Sequence, residues 1–271
     1  MVQAVHTLPE GEPVYGVTSL ADEVYVLRGK ERDQVEVYDV NSYCLQRCLT
    51  VPDIGGVRDM TSCEHYRCVY IANNSGECIH RLDVQGASTR WYVNDKPRGL
   101  SVNAAHNLLV TCRVVRKIKE FSSHGDLLRE LTLPDDVINP RHAIQTPNGE
   151  FIVCHGDRDD AVHRVCKISA DGRDIIKSHG GQRGSDIGQY RMPIHLAVDN
   201  NEFVFVADLD NRRVTLLSPT VDYIRQVFSL DDLKGVPSRL CLDINRRRLY
   251  VVDNQWKDDT YTAGHVVAFS V

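Results

Sequence analysis

Three sets of side chains in this 271-residue chain could do chemistry. The first is a series of arginines near the start of short strand-like segments: Arg58 in Val57-Arg58-Asp59-Met60, Arg98 in Pro97-Arg98-Gly99-Leu100, Arg141 in Pro140-Arg141-His142-Ala143 and Arg239 in Pro237-Ser238-Arg239-Leu240. Guanidinium forks match the oxygens of phosphate and carboxylate groups. The second is the basic run Arg113, Arg116 and Lys117, with Trp256 further on, an aromatic able to stack on a base or fill a partner's pocket. The third is histidine. His142 and His195 occupy matching places in two of the strand-opening tetrapeptides, and His155 follows one of them. Three neutral imidazoles around one opening can hold zinc and leave a fourth position free.

Other chemistry is missing from the sequence. No G-x-S-x-G occurs, and the glycines Gly181, Gly184 and Gly188 lack the lysine-serine ending and the following helix of a phosphate-cradling loop. Cys44 with Cys48 and Cys63 with Cys68 are not C-x-x-C pairs, and no partner pair has zinc-site spacing, so the nine cysteines are expected to be reduced and structural. A net charge of −5 argues against coating nucleic acid over the whole surface but leaves room for a local basic patch. No run approaches the roughly eighteen apolar residues of a membrane helix, and the opening residues lack the pattern of a signal peptide, so a cytoplasmic protein without membrane contact is expected.

The elements that must position these residues recur. The alternating apolar runs VYV at Val24, VYI at Val69, LLV at Leu108, FIV at Phe151, VFV at Val204 and LYV at Leu249 are separated by 45, 39, 43, 53 and 45 residues. A period in this range marks stacked supersecondary units. Each run is preceded by a second strand signal, usually opened by proline, which suits a strand's first residue. Two further runs follow it, so each copy reads as a four-strand meander. The sixth copy stops after its third strand at the chain end, while Val2 to Leu8 is an apolar stretch without another assignment. The economical solution places residues 2–8 as the outer strand of the last unit, which removes the open sheet edge of a radial array.

The fifth copy carries the fullest signature: G-x-x-G-x-x-x-G-x-Y-x-x-P from Gly181 to Pro193, an apolar strand, then Val204-Phe205-Val206-Ala207-Asp208 and Asn211, Arg213 and Val214. This order resembles the NHL repeat. The resemblance implies an all-β, six-bladed β-propeller of four-stranded antiparallel blades, approximately 13–50, 56–93, 97–133, 139–179, 192–229 and 236–271 plus 2–8, within one domain spanning 1–271. Asp208 and Arg213 are expected to pair across the fifth hairpin, with Asn211 left-handed, and Tyr190 to be wedged between blades.

By connectivity, strand starts, the ends of the second strands and the hairpins that follow share one face, which gathers the arginines, Lys117 and Trp256. NHL propellers commonly serve as the recognition domain of tripartite-motif ubiquitin ligases. The resemblance therefore implies a non-catalytic, monomeric module without cofactor or small-molecule substrate, binding RNA or protein through Arg58, Arg98, Arg141, Arg239, Arg113, Arg116, Lys117 and Trp256. The RING, B-box and coiled-coil segments of such ligases are not recognisable in the chain. Related six-bladed propellers also include a zinc-dependent amidating lyase and metal-dependent lactonases. The alternative is therefore a metal-dependent enzyme with His142, His155 and His195 at the channel mouth.

Overall fold

Alternating and continuous runs of Val, Ile, Leu, Tyr and Cys, cut by Asx-Gly and proline turns, form strands throughout. The computed structural model describes residues 3–29, 34–229, 232–258 and 260–271. The first strand, β1 (Gln3–Thr7), stands apart from its sequence neighbours. Blade one then comprises β2 (Val14–Leu20), β3 (Glu23–Arg28), β4 (Gln34–Asp39) and β5 (Leu45–Thr50). Blade two has β6 (Val57–Cys63), β7 (Cys68–Asn73), β8 (Cys78–Asp83) and β9 (Ser88–Tyr92). Blade three has β10 (Pro97–Val102), β11 (Leu108–Cys112), β12 (Lys117–Phe121) and β13 (Leu127–Thr132). Blade four has β14 (Pro140–Gln145), β15 (Phe151–His155), β16 (Val162–Ile168) and β17 (Ile175–Gln182). Blade five has β18 (Pro193–Val198), β19 (Val204–Asp208), β20 (Arg213–Leu217) and β21 (Tyr223–Phe228), and blade six has β22 (Val236–Asp243), β23 (Arg248–Lys257) and β24 (Thr260–Ser270). All six sheets have four antiparallel strands, and the last has the order β1-β24-β23-β22. The ring is closed as the sequence leads one to expect, from Gln3 onward; Val2 lies outside the described residues.

Burial falls from the axis outward. In the second strands β7, β11, β15 and β19 every residue is buried, because each lies between neighbouring blades on both faces. The outer strands β9 and β13 are largely exposed. The cores are shared by adjacent blades: Ile118 and Leu109 pack with Phe151 and Val153, and Phe228 stacks on Phe269 with ring centroids 3.8 Å apart. Tyr190 fills the gap between blades four and five among Ile152, Cys154, Leu196 and Val206. At the closure, Asn254 accepts from the Val14 N–H at 2.9 Å and donates to its carbonyl at 2.8 Å. Arg28 donates to the Pro9 carbonyl at 2.7 Å and the Gly264 carbonyl at 2.9 Å, tying the N-terminal segment down.

One local expectation is corrected. In the fifth hairpin Asp208 does pair with Arg213, at 2.9 Å, but the left-handed residue is Arg212 (φ 50°) and not Asn211. The Asn211 amide is spent on the Asp208 carboxylate at 2.7 Å, inside a single 3-10 turn over Leu209–Asn211, which leaves the next residue to reverse the chain. At the sixth hairpin the β23–β24 ladder runs on past the other blades' length, with Gln255 opposite Ala263 and Trp256 opposite Tyr261. No helix among the described residues is long and apolar enough to cross a membrane.

Candidate functional site

Every inner hairpin carries the same irregularity. In blades one to five the register slips between the first and third residues of the inner strand, as between Val57 and Asp59 or Pro193 and His195, and in blade six it slips at the equivalent pair, Pro237 and Arg239. The second residue is thus an extra one, a β-bulge that re-aims its neighbours. The third residues are Gly16, Asp59, Gly99, His142, His195 and Arg239. Asp59, His142, His195 and Arg239 come from four different blades yet touch one another, which places them on the ring axis. The two glycines are where blades approach most closely. A Cβ on Gly99 would lie 2.5 Å from the Arg141 carbonyl oxygen, and one on Gly16 would lie 2.5 Å from the Met60 Cβ.

Asp59 is the hub of this group. It is 1% exposed and accepts the Leu100 N–H at 2.8 Å and the His195 Nε2–H at 3.3 Å. Arg239 Nε lies 3.1 Å from its other oxygen, close enough for an ion pair but not aligned for a hydrogen bond. Burial alone would push this carboxyl up. The Arg239 guanidinium and the hydrogen bond from His195 outweigh burial and hold the group well below the usual carboxylate range. The rings of His142 and His195 stack at 3.9 Å between centroids. Burial, reinforced by the neighbouring His195, pushes His142 down to about 3, against the pull of Asp59, so this imidazole is neutral at physiological pH.

Hydrogen bonding fixes both tautomers. His142 Nε2 lies 2.8 Å from the Leu100 carbonyl, an acceptor only, so Nε2 carries the proton and the buried Nδ1 keeps a lone pair with no partner among the described residues. His195 Nδ1 accepts the Leu240 N–H at 3.3 Å, so its Nε2 also carries a proton, given to Asp59. Asp59, His142 and His195 have the donor types of a two-histidine, one-carboxylate metal centre, with ligand atoms within 4.8 Å of one another. The arrangement does not fit a cation, however. Both nitrogens nearest Asp59 bear protons, where metal-ligating histidines present a lone pair, and a guanidinium already neutralises the carboxylate. The same contacts suit a charge-balanced proton-handling group.

On one side of this group lies a cavity of about 450 Å³. His142 and His195 are among its lining residues, together with Met60, Leu196 and Leu240, the hydroxyl-bearing Thr18, Thr61 and Ser101, and the turn residues Glu64, Asn200 and Asn245. Those turns join inner to second strands, so the cavity opens on the face opposite the strand starts. Connectivity had directed attention to the other face. The wall hydroxyls are ordered: Thr18 donates to Ser62 at 2.8 Å, and Ser101 donates to the Ala143 carbonyl at 2.7 Å. The charged residues lining the cavity are Glu64 and Asp243, with no lysine or arginine among them.

The structure brings His142 and His195 together but sets His155 apart. His155 ends β15, opposite Pro140, fully buried and outside the group; Asp59 takes the third place. Of the arginines, Arg239 joins the group, and Arg58, Arg98 and Arg141 are the bulged second residues just beyond it. Arg113 and Arg141 both pair with Asp157, Arg116 pairs with Asp135 at 2.8 Å, and Lys117 with Glu130 at 2.7 Å. Trp256 is half-buried, packed edge-on against Tyr261 at 4.7 Å with the Arg158 guanidinium 4.4 Å from its ring centroid. Asp59 was visible in the sequence only as an acid beside Arg58. Aligning the third residue of each inner strand isolates it with His142, His195 and Arg239.

No protein-family model matches the sequence, the NHL model included, and no curated protein matches it. Solved structures do resemble the fold. A catalytically inactive histidine-to-alanine variant of virginiamycin B lyase from Staphylococcus aureus, with quinupristin, superposes with a TM-score of 0.64 at 11% identity, covering 100% of this chain and 99% of that one. The pyrroloquinoline-quinone-bound aldose sugar dehydrogenase of Streptomyces coelicolor gives 0.71 at 13% identity, covering 99% and 98%. At such identities the likeness is one of fold. It nonetheless corrects the expectation of a non-catalytic domain, because the virginiamycin B lyase and the aldose sugar dehydrogenase, both enzymes, share this ring over nearly their whole length, and the tripartite-motif assignment loses its basis.

Proposed function

We propose that this propeller is an enzyme working at the His142–His195–Asp59–Arg239 group, with the adjoining cavity as its substrate pocket. The observation that carries the reading is His142: it is among the residues lining the cavity, its Nδ1 is buried and holds a lone pair with no partner among the described residues, and its environment keeps it unprotonated. In this reading His142 accepts a proton or hydrogen bond from the substrate, Asp59 balances the charge that develops, and Arg239 with the Leu100 N–H keeps Asp59 ionised. His195, engaged at both nitrogens, positions Asp59 and stacks on His142. A wall of hydroxyls and apolar groups, with the acids Glu64 and Asp243 and no cation, suits a polar small molecule that is uncharged or positively charged rather than an anion. The neighbours support this class: one lyase structure includes quinupristin, and an alanine in place of one of that enzyme's histidines makes it inactive.

The test is turnover of a panel of cyclic esters, cyclic peptides and aldoses by purified protein, compared with His142→Gln and repeated after chelation. Turnover lost in the variant and retained after chelation supports the reading. Turnover indifferent to His142→Gln, or abolished by chelation and restored by a divalent metal, overturns the proton-handling role given to the group.

A further inference from the structure

The other side of the axial group holds positive charge that the protein does not neutralise. The bulge makes the second residue of each inner strand the extra one, and in the consecutive blades two, three and four it is Arg58, Arg98 and Arg141. Arg239 of blade six reaches across the axis to donate to the Arg58 carbonyl and to that of Ser238, so it belongs to the same cluster. Arg113 joins through Asp157, which it shares with Arg141. Five guanidinium groups therefore share two carboxylates, Asp59 and Asp157.

The pairing is uneven. No hydrogen bond or ion pair is found for the side chains of Arg58 and Arg98 among the described residues, and the buried Nε atoms of Arg58 and Arg141 have no partner. Arg141 is 3% exposed, so bulk water is a poor substitute for one. Burial, then the charges of Arg141, Arg239, Arg58 and Arg113, push Arg98 well below the usual guanidinium value, and burial with Arg239 lowers Arg58 too. Such groups ordinarily come with a counter-charge. Over them, Tyr261 on the prolonged β23–β24 hairpin lies 6.0 Å from the Tyr15 ring and is braced by Trp256.

We infer that this end of the channel binds the phosphoryl group of a small molecule. A carboxylate brings one charge and two oxygens, whereas a phosphoryl dianion brings up to two charges and three oxygens, closer to the excess of guanidinium over carboxylate and to the number of open donors. The rings of Tyr15, Tyr261 and Trp256 crowd this end of the channel, which suits a compact ligand better than a polymer backbone. The inference does not rest on the catalytic reading, because binding is measured without turnover.

Inorganic phosphate is the probe, at constant ionic strength set with chloride, with acetate and a single-stranded RNA octamer as the other arms. Calorimetric titration and thermal unfolding are recorded for the wild type, Arg98→Gln, Arg58→Gln and a surface control, Arg47→Gln. Saturable phosphate binding that raises the unfolding temperature of wild type and control, is at least tenfold weaker in the Arg98 and Arg58 variants, and exceeds that of acetate is the expected result. Because Arg98 is repelled by its neighbours, Arg98→Gln should also melt no lower than the wild type without phosphate, which separates lost binding from lost folding. Phosphate no better than chloride, phosphate binding that survives both substitutions, or RNA binding that phosphate does not compete with would overturn the inference.

Discussion

Replacing Asp59 by asparagine keeps the shape of the axial group and removes its one carboxylate. The amide can still accept from the Leu100 N–H and from His195, but Arg239, 7% exposed and bonded otherwise only to carbonyls, loses its counter-ion. Breaking one side of a buried pair costs about 3–5 kcal/mol, since the remaining charge stays desolvated. That is a large share of a typical stability of about 5–15 kcal/mol. In urea, with a slope of about 3 kcal/mol/M, the unfolding midpoint should fall by roughly 1–1.7 M. The double variant Asp59→Asn with Arg239→Gln removes the stranded charge as well and should recover at least half of the loss, because neutralising both partners costs far less than orphaning one. A midpoint shift under about 0.3 M, or a double variant that simply adds the two single losses, would refute the assignment of Asp59 as the hub.

Two further outcomes follow from the same structure. His155 is buried and held down to about 4, so as pH falls from about 6.5 the unfolded chain takes up a proton that the fold refuses. Its contribution should drain away at up to about 1.4 kcal/mol per pH unit until about pH 4, and the stability of the wild type relative to His155→Gln, measured by urea unfolding at pH 7 and pH 4.5, should drop accordingly; parallel pH dependences count against it. Deleting residues 1–8 strips β24 of its partner and bares a long ladder edge. The shortened chain should melt lower and self-associate on size-exclusion chromatography, and an unchanged melting temperature with a monomer peak would show that closure by β1 is dispensable.

The period of the apolar runs was enough to read six blades and the closure by the N-terminal segment, because a two-residue alternation and a turn every dozen residues survive even in degenerate copies. The positions of Arg58, Arg98, Arg141, His142 and His195 along their strands were legible for the same reason. What they meet was not. The bulge that turns the third residue of each inner strand toward the axis has no sequence mark of its own, since it follows Pro in four blades and Val in two. Asp59 therefore reads only as an acid beside Arg58, and His155, one strand further out, reads as a neighbour of His142. Nor could strand order reveal that the cavity opens at the turns holding Glu64, Asn200 and Asn245, because that depends on which side chains are short enough to leave room. Enzyme and recognition propellers share the ring, so the period could not choose between them.

Arg239 has a consequence for how the two halves of the channel behave together. Its guanidinium holds Asp59, which faces the histidines, and the backbone of Arg58, which carries the cluster beyond. Any ligand that draws Arg239 toward one compartment alters the electrostatic setting of the other, and thermodynamic reciprocity requires the reverse influence to be equally strong. A single side chain would thus serve as the hinge of a two-way conversation across the axis of the ring.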